Sequence, residues 1–327
     1  MKIRNKQINF RWVVNYFINC FRRFGLMYML HEMYYRFFTY VLEKLIFERR
    51  HKDTLRYLKR YMFKRKPLDY FAYFKPVKDL KPCVWTCWMQ GYDNAPAIVK
   101  ACINSIYKNT NGGGYDVIVI TEENMSDYIC MPDFILDKYK RGIISKAHFS
   151  DLLRTLLLIN YGGVWVDATV LLTREVPQII LDSDFFVFKA PNFSGICPCS
   201  NWFIVAKKES PLLIKVFEIL AEYWKDNKYL INYFMYHVCI RLIITYDEDA
   251  KQIWKNMLPK NNADPMIFTW EKLFDTMDVR MKNYLWDLSF AYKLTYRFDD
   301  VFGDDSLLDK KGTFYQYIIS ENLSRKL

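Results

Sequence analysis

Tyr161-Gly162-Gly163-Val164-Trp165-Val166-Asp167 is the stretch that most restricts the fold. A leucine-rich run, Lys146–Asn160, comes before it and reads as a helix. Glycine tolerates positive φ, so the pair ends that helix and turns the chain sharply. Val164-Trp165-Val166 then reads as a strand, with Asp167 at its carboxyl end. A helix delivered straight into a hydrophobic strand is a unit of α/β architecture.

The rest of the chain repeats that alternation. Cys83–Trp88 reads as a strand, Pro96–Asn109 as a helix opened by proline, and Asn111–Gly114 as a turn. Tyr115–Thr121 is a buried strand rich in β-branched residues, and Pro132–Arg141 is a helix. Asp184–Ala190 and Asn201–Ala206 are two further strands. Beyond Pro211 the pattern is mostly helical to about Lys260, with more helices after it. Strands alternating with helices predict an α/β domain with a mainly parallel sheet. A chain of 327 residues can hold one such domain and an appendage.

Charge marks out the appendage. Residues 1–66 carry 17 Lys and Arg against Glu32, Glu43, Glu48 and Asp53, a surplus of 13, while the remainder is at −2. The arm reads as helical, its Phe, Tyr, Leu and Ile mixed with the basic residues. Such helices lie in a membrane interface, aromatics down and cations at anionic headgroups. The alternatives are a hairpin packed on the main domain with a solvated basic face, and a nucleic-acid arm. The aromatics outnumber what a phosphate-binding stripe needs, so no nucleic-acid partner is expected. Residues 67–82, punctuated by Pro67, Pro76 and Pro82, form a linker. No run approaches the ~20 apolar residues of a membrane span, and no secretory leader is evident. The eight cysteines show neither a disulfide framework nor zinc spacing and read as reduced thiols. Together these features predict a cytoplasmic protein, peripheral on the inner membrane face.

Candidate site residues cluster around the opening motif. Helical spacing puts Asp151, Arg154, Thr155 and Leu158 on one face, with Leu152, Leu153, Leu156 and Leu157 on a core face. Asp151 and Arg154, three apart, can simply pair with each other; the functional alternative is that they point over the sheet and bind hydroxyls. Asp167 at the strand's end stands where ligands of open α/β sheets bind, and Thr169 falls on its side if the chain stays extended. Gly112-Gly113-Gly114 lacks the Lys-Ser/Thr of a phosphate loop, and Asp247-Glu248-Asp249 suits a helix start better than a calcium loop. His148 and His237 read as structural.

Trp85 to Thr169 resembles the capsular polysaccharide synthesis protein family of glycosyltransferases. More distantly it is similar to glycosyltransferases with the "sugar-binding region containing DXD motif". The resemblance is carried by Val84-Trp85-Thr86-Cys87-Trp88-Met89-Gln90-Gly91, Ser150-Asp151-Leu152-Leu153-Arg154 and Tyr161–Thr169. Asn201–Ala206, Tyr233-Phe234 and Lys293-Leu294-Thr295-Tyr296 match more weakly, and the whole covers roughly residues 80–300. It implies a GT-A type, Rossmann-like nucleotide-diphospho-sugar transferase domain over 83–300, with an N-terminal helical extension, a helical C-terminal part and a tail, 301–327. By that resemblance Trp85, Trp88, Gln90, Gly91, Gly162, Gly163 and Asn201 bind the donor, and Asp151, Arg154 and Asp167 serve catalysis. Asp167 matches the first acid of Asp-X-Asp, the second position is Thr169, and the resemblance implies Mn²⁺ or Mg²⁺ at Asp167 and Thr169. Tyr292 stands where many relatives have His. The implied reaction moves a hexose from a UDP- or GDP-sugar to a glycan or lipid-linked glycan acceptor in bacterial capsular or surface polysaccharide synthesis. No conspicuous base appears, which accords with retention. The rival reading is an inactive transferase-fold scaffold or membrane-bound assembly protein.

Overall fold

The computed structural model describes residues 18, 21–22, 26–64, 70–73, 80–110, 114–190, 197–259, 264–268, 272–298 and 305–323. It divides into two compact units, Met1–Asp53 and Thr54–Leu327. The division falls within the arm expected over residues 1–66. Much of the expected basic arm and of the 67–82 linker lies outside the described residues. A helix α1, Leu26–Met62, enters the second unit at Thr54. In the first unit, Leu26, Met27, Leu30, Met33, Leu42, Leu45 and Ile46 are exposed, while Met29 and Phe47 are half-buried.

The second unit is α/β. Its strands are β1 Cys83–Cys87, β2 Asp116–Ile120, β3 Gly163–Val166, β4 Val170–Leu172, β5 Phe185–Lys189, β6 Cys199–Ala206 and β7 Ala291–Lys293. Its principal helices are α2 Ala97–Thr110, α3 Asp133–Lys140, α4 Lys146–Tyr161, α5 Pro211–Asp226, α6 Met235–Tyr246, α7 Glu248–Asn256, α8 Val279–Leu288 and α9 Phe314–Leu323. The main sheet runs β2-β1-β3-β6-β5. β1 pairs in parallel with β2 and β3, while β6 is antiparallel to both β3 and β5. From β1 the chain crosses through α2 to β2 on one side, then through α4 to β3 on the other. The direction of winding thus reverses at β1, and the crevice beyond the carboxyl ends of β1 and β3 is a topological switch point.

Both faces of the sheet are covered. Trp85, Trp165 and Ile204 join the core beneath α4 and α5, while Val84, Val164, Val166 and Phe203 join the core on the other face. The alternation follows from the two-residue period of a strand. It also means that Trp165 and Asp167 share the α4 face. Ser145 opens α4 by accepting the His148 amide, and Gly162, at φ 69°, closes it by donating to the Leu158 carbonyl. Every described residue of α4 from His148 to Asn160 except Ser150 is buried. The expected two-faced helix is therefore enclosed all round, and its polar residues must satisfy one another.

Two features go beyond the sequence pattern. β4 and β7 form a small antiparallel sheet with Val170 opposite Lys293. α9 is no tail: Phe314, Tyr315 and Ile318 are buried in a core with α2, and Asn104 donates to the Asn322 carbonyl. Asp247 caps α7 by accepting the Ala250 amide and pairs with Lys215, as a helix-start reading requires.

Candidate active site

At the switch point four elements bring one charged network together. α4 supplies Asp151 and Arg154, the end of β3 supplies Asp167, β6 supplies Asn201, and β7 supplies Lys293. Asn201 Nδ2 donates to Asp151 Oδ1 at 2.8 Å, and the Asn201 carbonyl accepts from Arg154. The Arg154 guanidinium lies 3.5 Å from Asp151 Oδ1 and 3.3 Å from Asp167 Oδ1. It also donates to the Ser150 hydroxyl at 3.1 Å and stacks 5.0 Å over the Trp165 ring. Asp151 and Arg154 are buried, so this is no solvated surface pair.

Asp167 takes the centre. Its Oδ1 accepts the Trp165 indole N–H at 2.8 Å, and its Oδ2 accepts from Lys293 Nζ at 2.7 Å. Lys293 Nζ also donates to the Thr169 hydroxyl at 2.6 Å. Burial pushes the Asp167 pKa up. The Lys293 ammonium and the Arg154 guanidinium, with the hydrogen bonds from Lys293 and Trp165, outweigh it and hold the carboxyl below its ordinary range. Burial likewise works against the Arg154 charge, but Asp167 and Asp151 keep its pKa raised. Asp167 and Lys293 are each about one-fifth exposed (21% and 20%), so the network opens to solvent here and not at Asp151.

Thr169 reaches this point by a turn, not by extended chain: the Val170 amide donates to the Asp167 carbonyl at 2.9 Å. The loops after β1 and β7 flank the opening. Trp88 and Tyr296 meet edge-on at 5.2 Å, and the Trp88 indole N–H is buried without a partner. Gln90 is exposed, and Gly91 adopts φ 81° in the same loop. Tyr233, exposed, stands 5.9 Å from the His148 ring. Desolvation and then the charges of Asp151 and Asp167 raise its phenol's pKa.

Three expected donor-binding residues lie elsewhere. Trp85 is fully buried and donates its indole N–H to the Gly162 carbonyl at 3.0 Å, so it braces the turn between helix and strand. Gly162 and Gly163 stand at the start of β3, about 13 Å of strand away from Asp167. Their lack of a side chain serves packing: a Cβ on Gly163 would sit 2.3 Å from the Cys83 carbonyl oxygen, and one on Gly162 would sit 2.7 Å from the Lys208 amide nitrogen. A cleft at this opposite edge, lined by Lys81, Tyr161, Gly163, Lys207 and Lys208 among others, is remote from the charged network.

Trp165 and Ser150 stand within the quoted motifs and Lys293 within the weaker Lys293–Tyr296 match, but the sequence assigns none of the three a role. The signal for Trp165 was its two-residue offset from Asp167. For Lys293 there was none beyond the short Lys-Leu-Thr-Tyr match.

The oxygen set can be tested against the divalent cation that the resemblance implies. Such ions take several oxygen ligands, carboxylates foremost. Here one carboxylate and one hydroxyl converge, and an ammonium already lies between them. Among the described residues no three of His, Cys, Asp and Glu gather into a metal-binding group. The set does not fit a divalent cation.

The family described as capsular polysaccharide synthesis protein matches residues 5–318. The O-glycosyltransferase braB of Annulohypoxylon truncatum is 28% identical over 160 residues, covering 43% of this chain and 37% of that protein. The glycosyltransferase afumC of Aspergillus fumigatus is 26% identical over 167 residues, covering 46% and 43%. The aligned part thus spans less than half the length of these curated relatives. The apo structure of the bifunctional glycosyltransferase WbbM overlays with a TM-score of 0.40 at 12% identity, covering 76% of this chain and 53% of that one.

Proposed function

Because the chain belongs to the capsular polysaccharide synthesis protein family, we propose that it is a glycosyltransferase that moves a hexose from a nucleotide-diphosphate sugar to a glycan acceptor. One observation carries this reading: Asp151, Asn201, Arg154 and Asp167 form a continuous hydrogen-bonded and ionic network at the switch-point crevice, open to solvent at Asp167. Carboxylates and a guanidinium held this rigidly suit sugar hydroxyls, which both donate and accept. Trp88 and Tyr296, edge-on to each other at the mouth, offer aromatic ring surface to a nucleotide base.

In the reaction the bond between the anomeric carbon and the β-phosphate oxygen breaks, its electron pair staying on the phosphate. The acceptor oxygen bonds the anomeric carbon, and the acceptor's proton ends on the departing diphosphate. Negative charge therefore grows on the β-phosphate, and fixed positive groups beside it lower the barrier. The buried Arg154 supplies standing positive potential, and Asp151 and Asn201 hold it in place. A proton transfer from acceptor to leaving diphosphate needs no protein base, in keeping with retention of configuration. Residues 1–53, basic and with exposed apolar side chains on α1, suit an anionic membrane bearing a lipid-linked acceptor. Among the described residues no helix is long and apolar enough to cross a membrane.

The test is a panel of UDP- and GDP-sugars with purified protein, scored for donor hydrolysis or transfer. Turnover of one donor, lost in Asp167→Ala with the fold intact, is expected. Turnover that survives Asp167→Ala removes the site assignment, and a folded protein inert to every donor favours the scaffold reading.

A further inference from the structure

Asp167 and Thr169 turn their remaining oxygens on one group, the Lys293 ammonium. We propose that Lys293 is the built-in cation of the site: it stands in for a divalent metal beside the diphosphate, and transfer by this chain needs no such metal. The inference rests on the nucleotide-sugar reading above.

Three observations carry it. First, the placement is fixed from both sides. Val170 pairs with Lys293 across the β4–β7 ladder, and the Leu294 amide donates to the Thr169 carbonyl at 2.8 Å. The lysine stem is thereby clamped against the turn that carries Asp167 and Thr169, unlike a surface lysine that samples many rotamers.

Second, the charges balance without a metal. Asp151 and Asp167 face Arg154 and Lys293. An acid at position 169 would leave the group one charge negative and in need of a dication. Thr169 removes that charge and keeps an oxygen to hold the ammonium. The change at 169 and the cation at 293 thus complement each other at a single point.

Third, a metal would have to displace what is there. The two Lys293 contacts, 2.7 and 2.6 Å, are short and charge-assisted. A dication at the same oxygens would stand within contact distance of another positive charge. The other Asp167 oxygen is engaged by Trp165 and Arg154. A diphosphate oxygen can instead approach the ammonium from its exposed side.

The experiment pairs binding with turnover. Calorimetry measures UDP, GDP and the corresponding nucleosides on wild type, Lys293→Met and Lys293→Arg, in EDTA and in Mn²⁺. The active donor is then turned over under the same conditions. Wild-type diphosphate affinity and turnover should agree within about twofold between EDTA and Mn²⁺. Lys293→Met should weaken the diphosphate by about tenfold or more, the size expected for one charge-assisted hydrogen bond. It should leave nucleoside affinity unchanged, and Lys293→Arg should recover part of the loss. A merely structural lysine would lower both affinities together. Turnover abolished by EDTA and restored by Mn²⁺ overturns the inference while the donor reading stands. So does an unchanged diphosphate affinity in Lys293→Met. Absence of nucleotide binding by folded wild type in every condition overturns the donor reading, and the inference with it.

Discussion

Gly163→Ala should be among the most damaging single-methyl changes in the protein. The residue sits at φ 93°, where a side chain costs about 1–2 kcal/mol in backbone strain alone. The added Cβ would then stand 2.3 Å from the Cys83 carbonyl oxygen, more than 1 Å inside an ordinary contact. That oxygen is backbone of the neighbouring strand, so it cannot swing aside. β1 and β3 must part at the point where Val84 pairs with Val164. Losing one or two ladder hydrogen bonds there adds roughly 1 kcal/mol each. The total is about 2–4 kcal/mol. Gly142→Ala is the control: it too has positive φ (72°), but nothing lies within 4 Å of its Cβ, so only the strain remains. Urea unfolding of both variants measures the difference. A Gly163→Ala no worse than Gly142→Ala would refute the steric argument and reopen a ligand-binding role for the glycine pair.

Arg154→Met should cost about 3–5 kcal/mol of unfolding free energy, because it strands the buried Asp151 carboxylate; Asp151→Asn in that background should return part of it, seen in the same urea titration. The depressed pKa of Asp167 makes its contribution to stability fully present above the unfolded value near ~4 and lost as pH falls through the folded one. The gap in melting temperature between wild type and Asp167→Asn should therefore narrow from about pH 5 downward, and a gap that widens in acid would contradict the ion pairing. Burial raises the thiols of Cys83, Cys87 and Cys197 to about 12, whereas Cys130 is exposed. In a Cys20→Ser background, native protein at pH 8 should show one fast thiol toward a disulfide reagent, and Cys130→Ser should remove it.

What was legible in the sequence was local. The helix Lys146–Tyr161, the glycine turn and the strand after it follow from leucine spacing, positive φ and β-branched residues. Asp151, Arg154 and Asp167 could be named because they sit on or beside these elements. The errors came from long-range facts. A strand buried on both faces shows no alternation of polar and apolar residues, so nothing distinguished core Trp85 from Trp88 at the strand's end. The glycine pair was recognised as a turn, but its place at the amino end of β3, opposite the charged network, is a matter of topology. Lys293 reaches Thr169 across 124 residues through two strands of three residues each, too short to leave a periodic signal. α9 reads as tail from the sequence because its contribution to the core depends on α2, far back in the chain.

The most direct test of the account is hydrogen exchange with and without a saturating donor. The two edges of the sheet make opposite predictions. Donor at the charged network should slow exchange in residues 87–91, 166–169 and 293–297. Slowing confined to residues 80–82, 161–163 and 205–208 would place the ligand in the cleft beside the glycines and contradict the assignment of Asp151, Arg154 and Asp167.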